Sequence, residues 1–268
     1  MKQILSIQDL SCLGKCSLTM ALPVLSSMGC SCTPLPTAVL SSHTGFPAPH
    51  IRKLTEDMTA ICRHWQSIGA RFDAISVGYL SDANQAAAVE TVLDAFDAPT
   101  VIDPAMADHG KLYSGLACEH IDAMARLCRK GNILLPNVTE AALLTGLPYE
   151  ENASVGYYRR LLDAMGSFGA DAVIITGVCT DSEKTGFMGF DKTVGEFSYT
   201  ADRITRQCHG TGDLFTAVFT GAFALGKDIR AAATLAARFV EQVLCATETP
   251  CAFGTEFETQ LPWLWEHL

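Results

Sequence analysis

Short apolar runs alternate along the chain with longer stretches in which apolar residues recur every three or four positions. The compact runs Gln3–Gln8, Cys30–Pro36, Ala74–Val77, Thr100–Asp103, Asn132–Leu135 and Ala172–Thr176 predict strands. The amphipathic stretches Ser17–Met28, His50–Ile68, Asp82–Phe96, Leu116–Arg129 and Ser154–Phe168 predict helices between them, and Thr211–Leu225 and Asp228–Ala246 predict two more towards the end. Two further short strands, Thr185–Phe190 and Val194–Tyr199, joined through Asp191-Lys192, predict a hairpin on one edge. A repeated βαβ order with right-handed crossovers gives a doubly wound α/β fold, a mostly parallel central sheet with helices on both faces. Ligands of such sheets bind beyond the carboxyl ends of the strands, so the polar residues there are the first candidates for chemistry.

Composition narrows the picture. The chain has 268 residues, and no Gly-, Ser- or Pro-rich stretch divides it, so residues 1–268 read as a single domain. A formal net charge of −10 argues against nucleic acid and anionic membranes as partners, and an anionic substrate must be met by a local feature. The opening MKQILSIQDL leads straight into a strand without the segments of a signal peptide, and no apolar run reaches the ~18 residues that span a bilayer. The 11 cysteines lack metal-ligand spacing and read as reduced thiols in a cytoplasmic protein. Cys12, Cys16 and Cys208 read as small shielded thiols and not as nucleophiles.

The densest chemistry lies at Cys208-His-Gly-Thr-Gly-Asp-Leu-Phe215, ahead of the apolar helix. Glycines on either side of Thr211 let backbone N–H groups turn towards one point, to which the helix adds its positive end. Asp213 would repel a resting phosphate there, which suits a base aimed at an attacking hydroxyl. An ordinary helix start with a dipole-favoured aspartate accounts for the same four residues.

Gly210-Thr211-Gly212-Asp213, late in a chain of this size, resembles the signature of ribokinase-like kinases. Further segments resemble the pyridoxal kinase branch in order and spacing: Ile4-Leu-Ser-Ile-Gln-Asp9 with Gly14, Ser41-Ser-His-Thr-Gly45, Ser76-Val-Gly-Tyr-Leu80, Ile102-Asp-Pro-Ala-Met106 with Gly110-Lys-Leu-Tyr113, and Leu135-Pro-Asn-Val-Thr-Glu140. The resemblance, spanning roughly residues 4 to 245, implies transfer of the γ-phosphoryl group of ATP to the 5′-hydroxymethyl group of pyridoxal or a related vitamin B6 vitamer. It makes Asp213 the base and Gly210, Thr211 and Gly212 the anion hole. It places Asp9, His43, Thr44 and Tyr79 at the ring, and Asp103, Asn137, Glu140, Thr176 and Thr211 at ATP, with Asp103 and Glu140 managing Mg²⁺. It also implies a homodimer, and leaves room for a monovalent cation such as K⁺.

Each of these residues has a plainer reading: Thr44 and His43 as loop residues, Tyr79 as a core side chain, Asp103 as a turn former, Asn137 and Glu140 as helix-start residues. Two departures from the branch stand out. Asp9 replaces a small hydroxyl residue near the ring, and Thr176-Gly177 stands where some members carry a Lys, leaving Lys111, Lys184 or the metal to offset the triphosphate. A hydroxymethylpyrimidine kinase of thiamine biosynthesis is the nearest alternative, although its glycine-rich opening loop is absent. A vitamin B6 carrier or sensor is the alternative from another class, and an intact Asp213 speaks against it. A Rossmann dinucleotide binder is disfavoured because no G-x-G-x-x-G follows the first strand.

Overall fold

The computed structural model describes residues 1–205, 208–248 and 251–268. Strands β1 (Gln3–Ser11), β2 (Ser31–Leu40), β3 (Ile51–Lys53), β4 (Ala74–Val77), β5 (Thr100–Ile102), β8 (Ile133–Leu134), β9 (Ala172–Val178), β10 (Lys184–Asp191) and β11 (Gly195–Asp202) form one nine-stranded sheet. Its order is β11-β10-β9-β8-β5-β4-β1-β2-β3, and the six strands from β9 to β2 run parallel. Strands β6 (Ala107–Asp108) and β7 (Lys111–Leu112) make a separate small antiparallel hairpin.

Helices α2 (Thr55–Ser67), α3 (Asn84–Ala95), α4 (Cys118–Cys128), α5 (Val138–Thr145) and α6 (Val155–Gly166) follow the strands in order. The core on one face draws on these five, through residues such as Met58, Val89, Met124, Ala141 and Tyr157. The other face is packed by α1 (Leu18–Ser27), α7 (Thr211–Ala224), α8 (Ile229–Ala246) and α9 (Leu261–Glu266), through residues such as Met20, Val218, Phe239 and Leu264. Helix α7 is apolar almost all round because it is buried between α1 and α8. Gly221 allows that approach, since a Cβ there would lie 2.6 Å from the Met28 sulfur.

The predicted architecture and edge hairpin are present, with three differences. The stretch from His50 is not helical at once: Ile51–Lys53 pairs with Ala38–Leu40 as an exposed edge strand before α2 begins. The β6–β7 hairpin, α5 and α9 are additional to the predicted elements. Strand β2 runs on to Leu40 through a bulge, where Thr37 and Ala38 together oppose Asp9. Chain order reverses at β1, which lies between β2 and β4, so a crevice opens beyond the carboxyl ends of β1 and β4.

Candidate active site

A cavity of about 930 Å³ opens at those carboxyl ends. It is lined by Asp9 from β1, Tyr79 after β4, Asp103 after β5, Asn137 and Glu140 at the start of α5, Thr176 on β9, and Gly210 to Asp213 at the start of α7. His43 and Thr44 line it from the loop after β2. The residues placed by the sequence at the base, the anion hole, the ring and the nucleotide therefore border one space.

The turn into α7 is held by backbone sterics. Gly210 has φ 88°, and a Cβ on it would lie 2.3 Å from the Lys15 carbonyl oxygen, so only glycine closes this turn. Because Leu214 N–H makes the first helical bond, to Gly210 O, the N–H groups of Thr211, Gly212 and Asp213 precede the intrahelical ladder. A Cβ on Gly212 would lie 4.0 Å from Asp103 Oδ2, so the absent side chain leaves room between that turn and β5. These donors and the helix dipole form an anion cradle.

Asp213 sits in the first turn of α7, its Oδ2 accepting the Ser17 N–H at 2.9 Å. Burial, reinforced by nearby Asp103 and Asp9, pushes its carboxyl up to about 7. A carboxylate poised there can take a hydroxyl proton at neutral pH. Asp103 Oδ2 accepts the Thr216 hydroxyl at 2.8 Å, and burial pushes Asp103 up to about 6. Thr216, three residues after Asp213, lines the cavity and was not singled out in the sequence, although i, i+3 spacing puts both on one face of α7.

Glu140 is buried and forms a capping box with Asn137. Its Oε2 accepts the Asn137 N–H at 2.8 Å, and its Oε1 accepts N–H groups of Met106 at 3.0 Å and Ala107 at 3.4 Å. Asn137 spends its side chain on Glu140 N–H at 2.9 Å and on the Ala107 carbonyl at 2.7 Å. The pair thus joins α5 to the root of the β6–β7 hairpin, so the helix-start reading of both residues holds alongside their place in the cavity wall. Burial raises Glu140 well above the carboxylate range, and Asp103 raises it further. Asp103 and Glu140 are thus two buried carboxyls that resist ionising together; Asp103 has one oxygen with no hydrogen bond among the described residues, and among those residues no group of three or more His, Cys, Asp or Glu side chains is placed to hold a metal ion.

At the other end, Asp9 is buried and its Oδ2 accepts the Ser11 hydroxyl at 2.8 Å. Burial raises its carboxyl. Tyr79 is nearly enclosed, and its ring centroid lies 6.5 Å from that of Tyr113. Tyr113 lines the cavity from beside β7 and is a second residue missed as a candidate. Burial, then Glu140 and Asp103, hold its hydroxyl protonated.

His43 borders the cavity while both its ring nitrogens bond within the protein. Its Nδ1 accepts the Gly45 N–H at 3.2 Å, which leaves the proton on Nε2 to donate to the Ala252 carbonyl at 3.1 Å. The ring centroid also lies 4.5 Å from that of His209, with the two planes tilted by 36°. Cys16 lines the cavity with its thiol raised by burial and by Asp213 and Asp9, in keeping with a shielded thiol. Cys208 is not a thiol: it is bridged to Cys251, a pairing that cysteine spacing cannot disclose.

The lining carries nine carboxylates, Asp9, Asp103, Asp108, Glu140, Glu150, Glu151, Asp202, Asp213 and Glu241, against Arg203 as the single Lys or Arg among the described residues. Lys111 and Lys184 do not line it, and Lys184 is ion-paired with Asp202, so neither takes the place of the missing Lys near Thr176. At the far end the wall turns apolar through Phe187, Phe215, Val240 and Leu244, a surface suited to a flat base.

Comparison with known proteins fits this geometry. The family model for phosphomethylpyrimidine kinase matches residues 22–256. A pyridoxine/pyridoxal/pyridoxamine kinase of Bordetella pertussis is 26% identical over 261 residues, covering 90% of this chain and 88% of the relative. Among solved structures, a Bacteroides thetaiotaomicron protein put forward as a phosphomethylpyrimidine kinase and crystallised with pyridoxal is 34% identical with a TM-score of 0.94, covering 98% of this chain and 95% of that one. Pyridoxal kinase from Lactobacillus plantarum is 28% identical with a TM-score of 0.91, covering 99% of this chain and 97% of that one.

Proposed function

The chain belongs to the phosphomethylpyrimidine kinase family, and within it we propose a vitamin B6 kinase that moves the γ-phosphoryl group of ATP to the 5′-hydroxymethyl group of pyridoxal, pyridoxamine or pyridoxine. The observation that carries this reading is a half-buried carboxylate, Asp213, set among N–H groups that lack helical partners. A carrier or sensor has no use for a base beside an anion cradle. The ribokinase-like fold and the kinase relatives point the same way.

The chemistry divides along the cavity. The vitamer ring lies towards Asp9, Tyr79 and Thr44, with His43 bracing the loop that presents Thr44. Asp213 takes the hydroxyl proton as the oxygen attacks the γ-phosphorus and ADP leaves. The N–H groups of Gly210, Thr211 and Gly212 receive the charge that develops on the moving phosphoryl oxygens. Thr176 and Asn137 border the nucleotide, and the apolar end beside Phe215 and Val240 receives its base. Asp103, with Glu140 behind it, would hold Mg²⁺, largely through water as this ion prefers. When bound, the metal neutralises phosphate charge that Arg203 alone cannot. A homodimer, resting on the resemblance, and a cytoplasmic location, resting on the mostly free cysteines, complete the proposal; among the described residues no helix is long and apolar enough to cross a membrane.

The test is ADP formation with pyridoxal, pyridoxamine, pyridoxine and hydroxymethylpyrimidine at one Mg²⁺ concentration. We expect kcat/KM for the best vitamer to exceed that for hydroxymethylpyrimidine by at least about tenfold, the discrimination a few ring contacts supply. The matched family model favours the opposite order as the second reading, and preference for hydroxymethylpyrimidine would establish it.

A further inference from the structure

The Cys208–Cys251 bridge stands where two parts of the cavity wall meet, and phosphoryl transfer makes no use of it. Cys208 precedes Gly210 by two residues. Cys251 opens the run 251–254, whose Ala252 carbonyl accepts from His43 and whose Phe253 carbonyl accepts from the Lys15 N–H at 2.7 Å. The Phe253 ring lies 5.5 Å from that of Phe46, and the His209 ring lies 4.5 Å from that of His43. Both bridged segments also close on one carbonyl, because a Cβ on Gly210 would lie 2.3 Å, and one on Gly254 2.8 Å, from Lys15 O. The bond therefore ties the anion cradle to the segment that clasps the loops around Lys15 and His43.

We propose that Cys208 and Cys251 are a reversible dithiol–disulfide pair whose closed form holds the cradle in its phosphate-binding shape, so that redox state sets turnover. The proposal rests on the kinase reading for its effect on turnover, but not for the pair itself. Disulfides in reducing compartments are commonly transient and regulatory. Cys208 is partly exposed and Cys251 buried, so a low-molecular-weight disulfide such as glutathione disulfide meets Cys208 first. The Cys208 thiolate attacks one of its sulfurs and expels one glutathione thiolate. The Cys251 thiolate then attacks the Cys208 sulfur and expels the second. The protein gives up two thiol protons and two electrons, and the reagent becomes two thiols. Reduction by excess glutathione reverses both steps.

Wild-type protein equilibrated across glutathione redox buffers, trapped by alkylation and mapped by mass spectrometry, tests the pair. MgATP affinity and vitamer turnover are measured on the same samples. We expect a peptide linking Cys208 to Cys251 under oxidising conditions, both residues alkylated under reducing ones, and kcat/KM for MgATP about tenfold lower once the bond opens, the scale set by loosened positioning. Cys251→Ser should show the low value in every buffer, with circular dichroism like that of wild type. Alkylation of both cysteines in every buffer, or equal MgATP affinity and turnover in the two states, overturns the proposal. Absence of turnover with any vitamer in either state would instead count against the kinase reading, while the peptide map and MgATP affinity still decide the pair.

Discussion

Asp213 has a chemical role that conflicts with its burial. Its carboxyl is raised from the ordinary 3.8 to about 7, so the folded protein binds that proton more tightly than the unfolded chain does. Stability therefore falls as pH rises between those two values and stays low above them. Asp213→Asn keeps the contact to Ser17 N–H and removes the charge. We expect kcat to drop by roughly 10²–10⁴-fold. The variant should also be more stable than wild type at pH 8 by about 1–2 kcal/mol, discounted from the full shift because the group faces a wet cavity. That gain should vanish near pH 4, and thermal melts at the two pH values check it. The acid limb of the wild-type kcat/KM profile should lie near pH 7. Asp9 makes a different prediction. If it faces the ring it favours a cationic partner, so Asp9→Ser should narrow the preference for pyridoxamine over pyridoxal by about tenfold in relative kcat/KM. Its bond to Ser11 supplies the competing outcome, equal losses for all vitamers with a lowered melting temperature. Asp213 and Asp9 were both legible as residues, because a glycine turn and a strand end are local signals. What they touch was not: the partner of Asp213 is a backbone N–H 196 positions away, which no residue identity announces.

Among the elements, α5 does more than its length suggests. Its capping box fixes the N-terminus and, through Met106 and Ala107, the root of the β6–β7 hairpin that carries Tyr113. Glu140→Gln leaves a single acceptor oxygen for three N–H groups, so we expect a loss of about 1–3 kcal/mol in stability. The Mg²⁺ concentration for half-maximal rate should rise more than KM for the vitamer. A change confined to the vitamer KM would move Glu140 out of the metal half of the site. The helix cap was readable from Asn137 and Glu140, yet the helix itself is short and the hairpin strands have two residues each, too few to show a period. Strand β3 escaped for a related reason. Its three residues are all exposed, and only pairing with the end of β2 makes them a strand.

At the scale of the whole molecule, alternating strands and helices gave the parallel sheet, and the ends of the strands gave the cavity. The one covalent link in its wall joins residues 43 apart around α7 and α8, a pairing set by three-dimensional closure and not by spacing. The acidic lining has a kinetic consequence. A protein of net charge −10, whose cavity carries Asp108, Glu150, Glu151 and Glu241 besides the deeper carboxyls that burial holds towards their neutral form, meets its nucleotide, itself an anion, against a repulsive field. Mobile ions weaken that field over a distance of about 10 Å at 0.1 M. Association of MgATP should therefore quicken as an inert electrolyte such as tetramethylammonium chloride is added, the reverse of the slowing expected where lysines draw the nucleotide in. Stopped-flow binding rates between low and moderate ionic strength would reveal the slope. A flat or falling line would mean that Arg203, or cations already bound, cancel the charge at the mouth before the nucleotide arrives.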